Sequence, residues 1–102
     1  KMLTTERKKR FRAIGHNLKP IVTVAGNGLS ETVIAELNRA LNDHELIKIK
    51  LVFDDRADRQ LAIEEICKQT DALSVQSIGK VALLYKAAKK PNPKLSNLLR
   101  IS

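Results

Sequence analysis

The sequence predicts a single α/β domain whose elements follow the order α-β-α-β-α-β-β around a mixed four-stranded sheet. Three observations support this prediction. A length of 102 residues with 43% hydrophobic content suits one core. Segments with helical apolar spacing alternate with short β-rich runs, so two right-handed crossovers should place the early strands in parallel. Only Gly79-Lys80 separates the last two runs, which indicates a tight antiparallel hairpin.

The first half of the chain is expected to hold two helices and two strands, namely a helix at about Thr4–Ala13, a strand at Ile21–Val24, a helix at about Glu31–Asn42 and a strand at Leu46–Phe53. Thr4 or Thr5 suits the N-cap of the first helix, and Gly15 is well placed to end it. The first strand is apolar on both faces apart from Thr23, which predicts a central position in the sheet. In the second strand, isoleucines alternate with lysines, so one of its faces should be solvated.

The second half is expected to hold one helix and the hairpin, namely a helix at about Asp58–Gln69 and strands at Leu73–Ile78 and Val81–Lys86. The preceding Asp54-Asp55-Arg56 reads as a turn. Leu61 and Cys67 are among the candidates for burial in the third helix. The folded domain is predicted to cover residues 1–88. Residues 89–102 should form a basic, flexible tail with a short helical piece near Leu95–Leu99.

Positive charge is concentrated at both ends of the chain. The formal net charge is +8, with a net of +6 in residues 1–20, +5 in residues 86–102 and −3 between them. Such basic surfaces attract polyanions, and the alternative is that they serve only solubility. The aromatic residues are Phe11, Phe53 and Tyr85, too few for a base-stacking platform. RNA binding would therefore rest on backbone and shape.

Other classes of protein find little support in the sequence. No apolar run is long enough for a transmembrane helix, and the basic N-terminus lacks the apolar part of a signal peptide. Cys67 is the single cysteine and cannot form an internal disulfide. We expect a cytoplasmic protein with no membrane partner, and a monomer by default. His16 and His44 lie far apart, so no metal or cofactor is predicted. No nucleophile–base–orienter set indicates an enzyme.

A glycine-rich loop follows the first strand and precedes the second helix. Gly26 and Gly28 allow close approach of a partner, and the first N–H groups of a helix capped by Ser30 point toward the loop. Glu31 occupies the third glycine position of a dinucleotide fingerprint, and no Walker A Gly-Lys-Ser/Thr is present. The alternatives are a plain strand-to-helix turn and a phosphate-contacting loop, and the neighbouring Lys19 favours the second.

Several short motifs, in this order, resemble the CRM domain family (chloroplast RNA splicing and ribosome maturation). They are Leu18-Lys19-Pro20, Ala25-Gly26-Asn27-Gly28-Leu29-Ser30-Glu31, Glu45-Leu46-Ile47-Lys48-Ile49-Lys50, Ile78-Gly79-Lys80 and Leu84-Tyr85-Lys86. The resemblance runs from about Leu3 to Lys86. Two positions depart from the family pattern: Ala25 stands where the family loop usually begins with glycine, and Lys86 stands where it usually has arginine.

The resemblance implies a fold similar to the C-terminal domain of bacterial translation initiation factor three. It also implies RNA binding through a GxxG-like loop comparable to that of KH domains. Bacterial members of the family are associated with precursors of the large ribosomal subunit, and plant relatives act in organellar intron splicing. The implied partners are therefore precursor large-subunit ribosomal RNA and the pre-ribosomal particle.

Twelve residues are the resulting candidates for RNA binding: Lys8, Lys9, Arg12, Lys19, Ala25, Gly26, Asn27, Gly28, Ser30, Lys48, Lys50 and Lys80. For the two strand lysines, a solvated sheet face is about as plausible as RNA contact. A second hypothesis is a protein-interaction module that docks on a ribosomal protein or assembly factor. It would use the apolar face of the first helix or the leucines Leu95, Leu98 and Leu99.

Overall fold

The computed structural model describes residues 3–25 and 29–99 and contains all seven predicted elements in the predicted order. They are α1 (Thr5–Gly15), β1 (Pro20–Ala25), α2 (Glu31–His44), β2 (Leu46–Val52), α3 (Arg56–Thr70), β3 (Leu73–Ile78) and β4 (Val81–Tyr85). The chain is thus an α/β domain, as predicted.

The four strands form one mixed sheet in the order β1-β2-β4-β3. β1 is parallel to β2, and β4 is antiparallel to both of its neighbours, β2 and β3. The predicted central position of β1 is wrong, because β1 is an edge strand. Its Val22 and Val24 are buried, but Ile21 and Thr23 are exposed. An apolar residue on each face therefore does not guarantee that both faces are covered.

Helices α2 and α3 cover one face of the sheet over β1, β2 and β4 and form the main core. Leu37 and Leu41 of α2 and Ile63 and Ile66 of α3 are almost fully buried. They belong to one cluster with the inward-facing strand residues, which are Val22, Val24, Ile47, Ile49, Leu51, Ala82 and Leu84. Over β1, β2 and β4, this face of the sheet is therefore closed to solvent by two helices, while Ser74 and Ser77 of β3 stay exposed.

Helix α1 covers part of the opposite face. Phe11 is buried there with Leu46, Leu83 and Tyr85, and the Phe11 and Tyr85 ring centroids lie 4.7 Å apart. This packing uses the apolar face of α1 that the second hypothesis reserved for a protein partner. That face is therefore not available for docking.

The helix starts follow the capping chemistry of the sequence. Thr4 Oγ1 accepts a hydrogen bond from the Arg7 N–H at 3.1 Å, and Ser30 Oγ accepts one from the Val33 N–H at 3.2 Å. Helix α3 begins two residues earlier than predicted, because an Asp55 carboxylate oxygen caps it at 3.0 Å from the Ala57 nitrogen.

Leu61 of α3 is 63% exposed, so its predicted burial is wrong. The buried stripe of α3 runs through Ala62, Ile63, Ile66 and Thr70. One residue before that stripe, a side chain is rotated by about 100° around the helix axis and leaves the core. Helical spacing alone did not show where the stripe began.

Gly15 is the last residue of α1 and has a different role from the predicted helix stop. The C-cap is His16, in right-handed helical conformation, so the helix end needs no left-handed glycine. A Cβ at Gly15 would lie 2.6 Å from Leu83 Cδ2. Glycine fits this position well because α1 lies very close to Leu83 of β4.

The last described part of the chain, residues 86–99 (hereafter the C-terminal segment), is packed on the domain. Ser96 and Asn97 are buried and hydrogen-bonded to residues at the α2–β2 junction. Residues 93–95 and 97–99 form turns rather than the short helix predicted near Leu95–Leu99. The prediction of a flexible tail is therefore wrong for this segment, because buried polar partners hold it.

Candidate nucleic-acid interface

The part of the sheet that faces away from α2 and α3, and that α1 leaves uncovered, is the open face. Its residues are Thr23 and Ala25 of β1, Lys48, Lys50 and Val52 of β2, Gln76 and Ile78 of β3, and Val81 of β4. In β1, β2 and β4, strand alternation places these residues on one side, because their neighbours in sequence point into the main core. Gln76 and Ile78 of β3 lie on the same side because they pair with Leu83 and Val81 of β4.

The register arranges these residues in rows across the sheet. Lys50 pairs with Thr23 on one side and Val81 on the other, and Val81 pairs with Ile78. Lys48 lies in the preceding row between Pro20 and Leu83. Both lysines therefore sit on the same face of a central strand, as the alternating sequence predicted, and not on an edge strand. This removes edge protection as their role.

The open face combines exposed apolar surface with positive charge. Val52 is 43% exposed and Ile78 is 67% exposed. Lys50 lies in the same row as Ile78, with Val52 in the next row on one side and Lys48 in the next row on the other. The residues of the open face include no aspartate or glutamate. A surface of this composition fits a ligand that has both anionic and apolar parts, which describes a nucleotide chain.

A shallow groove of about 380 Å³ runs along the border between the open face and α1. Its walls include His16, Lys19, Lys48, Gln76 and Ile78. The structure thus brings together Lys19 and Lys48, which are far apart in sequence. No acidic residue lines this groove, so the electrostatic potential inside it favours anions.

The lining of this groove includes His16, at the end of α1, and none of the predicted cations Lys8, Lys9 and Arg12. Lys9, Arg12 and His16 are spaced by three and four residues, so they share one flank of the helix. Since His16 lines the groove, that flank runs along the open face. Lys8 is one turn before Arg12, and Lys8, Lys9 and Arg12 are all exposed. These side chains extend the basic surface beyond the sheet.

The glycine-rich loop connects Ala25, the last residue of β1, to Ser30, the N-cap of α2. Ala25 pairs with Val52 at the last row of the open face. The predicted contacts at Gly26, Asn27 and Gly28 lie outside the described residues. Ala25 and Ser30, which flank the loop, are both exposed.

Lys80 occupies the β3–β4 hairpin turn after Gly79, whose φ is +57°. The Lys80 carbonyl oxygen accepts a hydrogen bond from the Leu51 N–H at 2.6 Å. This places Lys80 at the same end of the sheet as Ala25, but two strands away from it. Its side chain is exposed, and no lining of the groove includes it.

Sequence reasoning missed the roles of two residues on or next to α1. Arg7 has its guanidinium carbon 5.3 Å from the Phe11 ring centroid and 5.4 Å from that of Tyr85, and it donates a hydrogen bond to the Tyr85 hydroxyl at 3.1 Å. This contact braces α1 against β4. His16 is the second. His16 follows Arg12 by four residues, and this spacing could have indicated that the two side chains share one flank of α1.

Cys67 lies in α3, away from the open face, and packs partly buried against the main core. Burial raises the pKa of its thiol, so the neutral form is favoured. It fits a small packing residue, as expected.

Within residues 3–25 and 29–99, no group of three or more His, Cys, Asp or Glu side chains could hold a metal ion. In the same part of the chain, no helix is long and apolar enough to span a bilayer.

The fold and this site define a small α/β domain with a basic, partly apolar sheet face. The profile of the CRS1 / YhbY (CRM) domain family matches residues 3–86. The chain therefore belongs to the CRS1 / YhbY (CRM) domain family, and the resemblance noted from its motifs is confirmed.

Known relatives cover nearly the whole chain. A Pseudomonas aeruginosa protein named "Probable RNA-binding protein PA4753" is 56% identical over 100 residues, which is 98% of this chain and 96% of that protein. A Haemophilus influenzae protein named "RNA-binding protein" is 43% identical over 88 residues, covering 86% and 89% of the two chains. The solution structure of SAV1595 from Staphylococcus aureus superposes with a TM-score of 0.77 at 29% identity, covering 87% of this chain and 93% of that one.

Proposed function

We propose that this protein binds RNA through the open face of its sheet, the basic flank of α1 and the glycine-rich loop. The observation that carries the proposal is the placement of Lys19, Lys48 and Lys50 around a groove and sheet face without a carboxylate. The names of the Pseudomonas and Haemophilus relatives support the same class of ligand.

The arrangement favours recognition of the RNA backbone over reading of bases. The described open face has no aromatic side chain on which a base could stack. Lysine ammonium groups on Lys19, Lys48 and Lys50 would contact phosphates, and Val52 and Ile78 would pack against ribose and base edges. We expect the loop amides of residues 26–28 to bind a further phosphate, with Ser30 fixing the helix start that presents them.

We further propose that the RNA is precursor large-subunit ribosomal RNA and that binding assists assembly of the pre-ribosomal particle. The support for this step is the family resemblance, whose bacterial members are associated with such precursors. The activity is binding and not catalysis, performed by a monomer in the cytoplasm. Docking on a ribosomal protein is the competing function. The apolar face of α1 is not available for it, because that face is packed in the core.

The direct test replaces both strand lysines in the variant Lys48→Gln/Lys50→Gln. Each lost phosphate contact on a single strand lowers the salt slope by about 0.7, so two contacts correspond to roughly 25-fold weaker binding at about 0.1 M salt. We would measure the affinity for a short RNA hairpin with a single-stranded extension across a salt series. Lys68→Gln is the matched control, because Lys68 is exposed on α3, behind the sheet. Equal affinities of the double variant and the control would contradict the proposed surface.

The target class is tested with the same pair of variants in cells. We expect ultraviolet crosslinks of the unaltered protein to concentrate on precursor large-subunit ribosomal RNA and to decrease strongly in Lys48→Gln/Lys50→Gln. Crosslinks spread over all RNA classes would contradict the ribosomal role while leaving RNA binding in place. Association with particles that survives nuclease treatment would favour the protein-docking alternative.

A further inference from the structure

The C-terminal segment is anchored by a buried carboxylate that the RNA-binding proposal does not use. Glu45 is only 6% exposed and has a φ of +61°, which is unusual for a residue with a side chain. One of its carboxylate oxygens accepts a hydrogen bond from the Ser96 hydroxyl at 2.7 Å, and the other accepts one from the Ala88 N–H at 2.9 Å. The Glu45 carbonyl accepts another from the Lys86 N–H at 2.9 Å.

A second set of bonds fixes the far end of the segment. The Asn97 N–H donates to the His44 carbonyl at 2.9 Å, and Asn97 Nδ2 donates to the Leu46 carbonyl at 2.7 Å. His44 Nδ1 and the Leu95 carbonyl oxygen are 2.8 Å apart. Two separate anchors therefore hold residues 86–97 on one path across the α2–β2 junction.

This path builds one wall of a second depression, about 300 Å³ in volume, at the end of the sheet where β1 and β2 begin. Lys19 and Lys48 line it from the domain, and Lys94 lines it from the C-terminal segment. No acidic residue is among its walls. Lys19 and Lys48 also line the groove beside α1, so the two concavities share a border.

Three ammonium groups around one concave site repel each other unless an anion lies between them. A phosphodiester supplies that anion, and the continuity with the first groove fits a polymer better than a small ion. The family profile ends at residue 86, so Lys94 lies beyond the part of the chain that the family defines. The alignment with the Pseudomonas relative covers 98% of this chain and is not confined to that part.

We propose that the C-terminal segment is a fixed part of the RNA-binding surface, and that Lys94 contacts a backbone phosphate beside Lys19 and Lys48. This inference rests on the proposed RNA-binding function and extends it beyond residue 86. The RNA backbone would pass from the groove beside α1 into the second depression. Buried Glu45 acts at a distance from the RNA by holding the segment in position.

The test is a double-mutant cycle that combines loss of the Lys94 charge with release of the C-terminal segment from the domain. Lys94→Gln removes the charge, and Ser96→Ala/Asn97→Ala releases the segment while keeping every charge. Lys90→Gln is the matched control, because Lys90 is an exposed lysine of the same segment that lines neither concavity. Affinity for the same RNA hairpin with a single-stranded extension is measured at several salt concentrations, and thermal melting confirms that each variant is folded.

We expect Lys94→Gln to bind about fivefold more weakly at about 0.1 M salt, with a salt slope lower by about 0.7. Lys90→Gln should stay within about twofold of the unaltered protein. When Lys94→Gln is added to Ser96→Ala/Asn97→Ala, the further loss of RNA affinity should be small, because the lysine is no longer held at the site.

Three results would overturn the inference alone, and a fourth would overturn it together with the proposed function. Equal losses in Lys94→Gln and Lys90→Gln, or an undiminished Lys94 effect in the released background, would indicate a mobile basic tail. Saturable binding of inorganic phosphate at the three lysines, with no effect of Lys94→Gln on RNA affinity, would assign the depression to a small anion. Failure of the unaltered protein to bind RNA would reject the proposed function itself, which the other outcomes leave intact.

Discussion

The two faces of the sheet are built from the same four strands but differ in what covers them. One face is closed by α2 and α3, and its residues, such as Ile49 and Leu51, have no exposed surface. The other is covered by α1 only over Leu46, Val75, Leu83 and Tyr85. On the open face, which α1 leaves uncovered, lysines and exposed aliphatic side chains occupy positions that a further helix would cover.

This difference separates stability from binding. The closed face supplies most of the buried apolar area that stabilises the fold. The open face leaves Ile78 largely in solvent, where its burial contributes little to folding. Substitutions of one residue type on the two faces should therefore affect different measurements.

The largest effect is expected for Ile49→Ala on the closed face. The substitution removes methylene groups from a site with no solvent access and leaves a cavity, which costs about 3 kcal/mol within a usual range of 2–5. Urea unfolding measures this loss. The folded fraction should keep its RNA affinity, and a loss of affinity without destabilisation would mean that the faces are not separable.

A smaller effect is expected for Gly15→Ala, where α1 meets the sheet. The new Cβ would meet buried Leu83 at 2.6 Å, and overpacking of this kind costs about 1–3 kcal/mol. The better helix propensity of alanine returns up to about 1 kcal/mol. We expect a net destabilisation of about 1 kcal/mol in thermal or urea unfolding. An exposed substitution in the same helix, Ala13→Gly, should act only through propensity. Stabilisation by Gly15→Ala would show that Leu83 moves aside without cost.

The smallest effect on stability is expected for Ile78→Ala on the open face. Since Ile78 is 67% exposed, unfolding free energy should change by no more than about 0.5 kcal/mol. RNA affinity should fall about threefold, because an apolar contact with the nucleotide chain is lost. Leu61→Ala gives the control, since Leu61 is 63% exposed on α3. If the two variants bind RNA with equal affinity, Ile78 makes no apolar contact with the RNA and the interface consists of charge contacts.

Much of the fold was predictable because local patterns specify it. Ser30 and Thr4 are helix caps because their hydroxyls reach backbone N–H groups two or three residues ahead, which spacing alone indicates. The edge position of β1 was not predictable in this way. It depends on β4 pairing with β2, a contact between distant parts of the chain.

The candidate site likewise combines features that local patterns predict with features that depend on contacts between distant parts of the chain. The shared orientation of Lys48 and Lys50 follows from the two-residue period of a strand. The meeting of Lys19 with Lys48 depends on strand register, and that of Lys94 with both depends on the Glu45 anchor. Composition made the end of the chain look like a mobile tail, because a single buried glutamate far upstream leaves no local signal. The glycine-rich loop stays a prediction.

The position of β4 between β2 and β3 also has a consequence for how the molecule is made. Leu46 pairs with Tyr85, so the middle of the sheet closes only after the last strand has been synthesised. Until then, β1 and β2 form a two-stranded ribbon, which is marginal by itself. A nascent chain that stops before Val81 should therefore remain unfolded. Completion of the binding surface is then delayed until β4 has been translated.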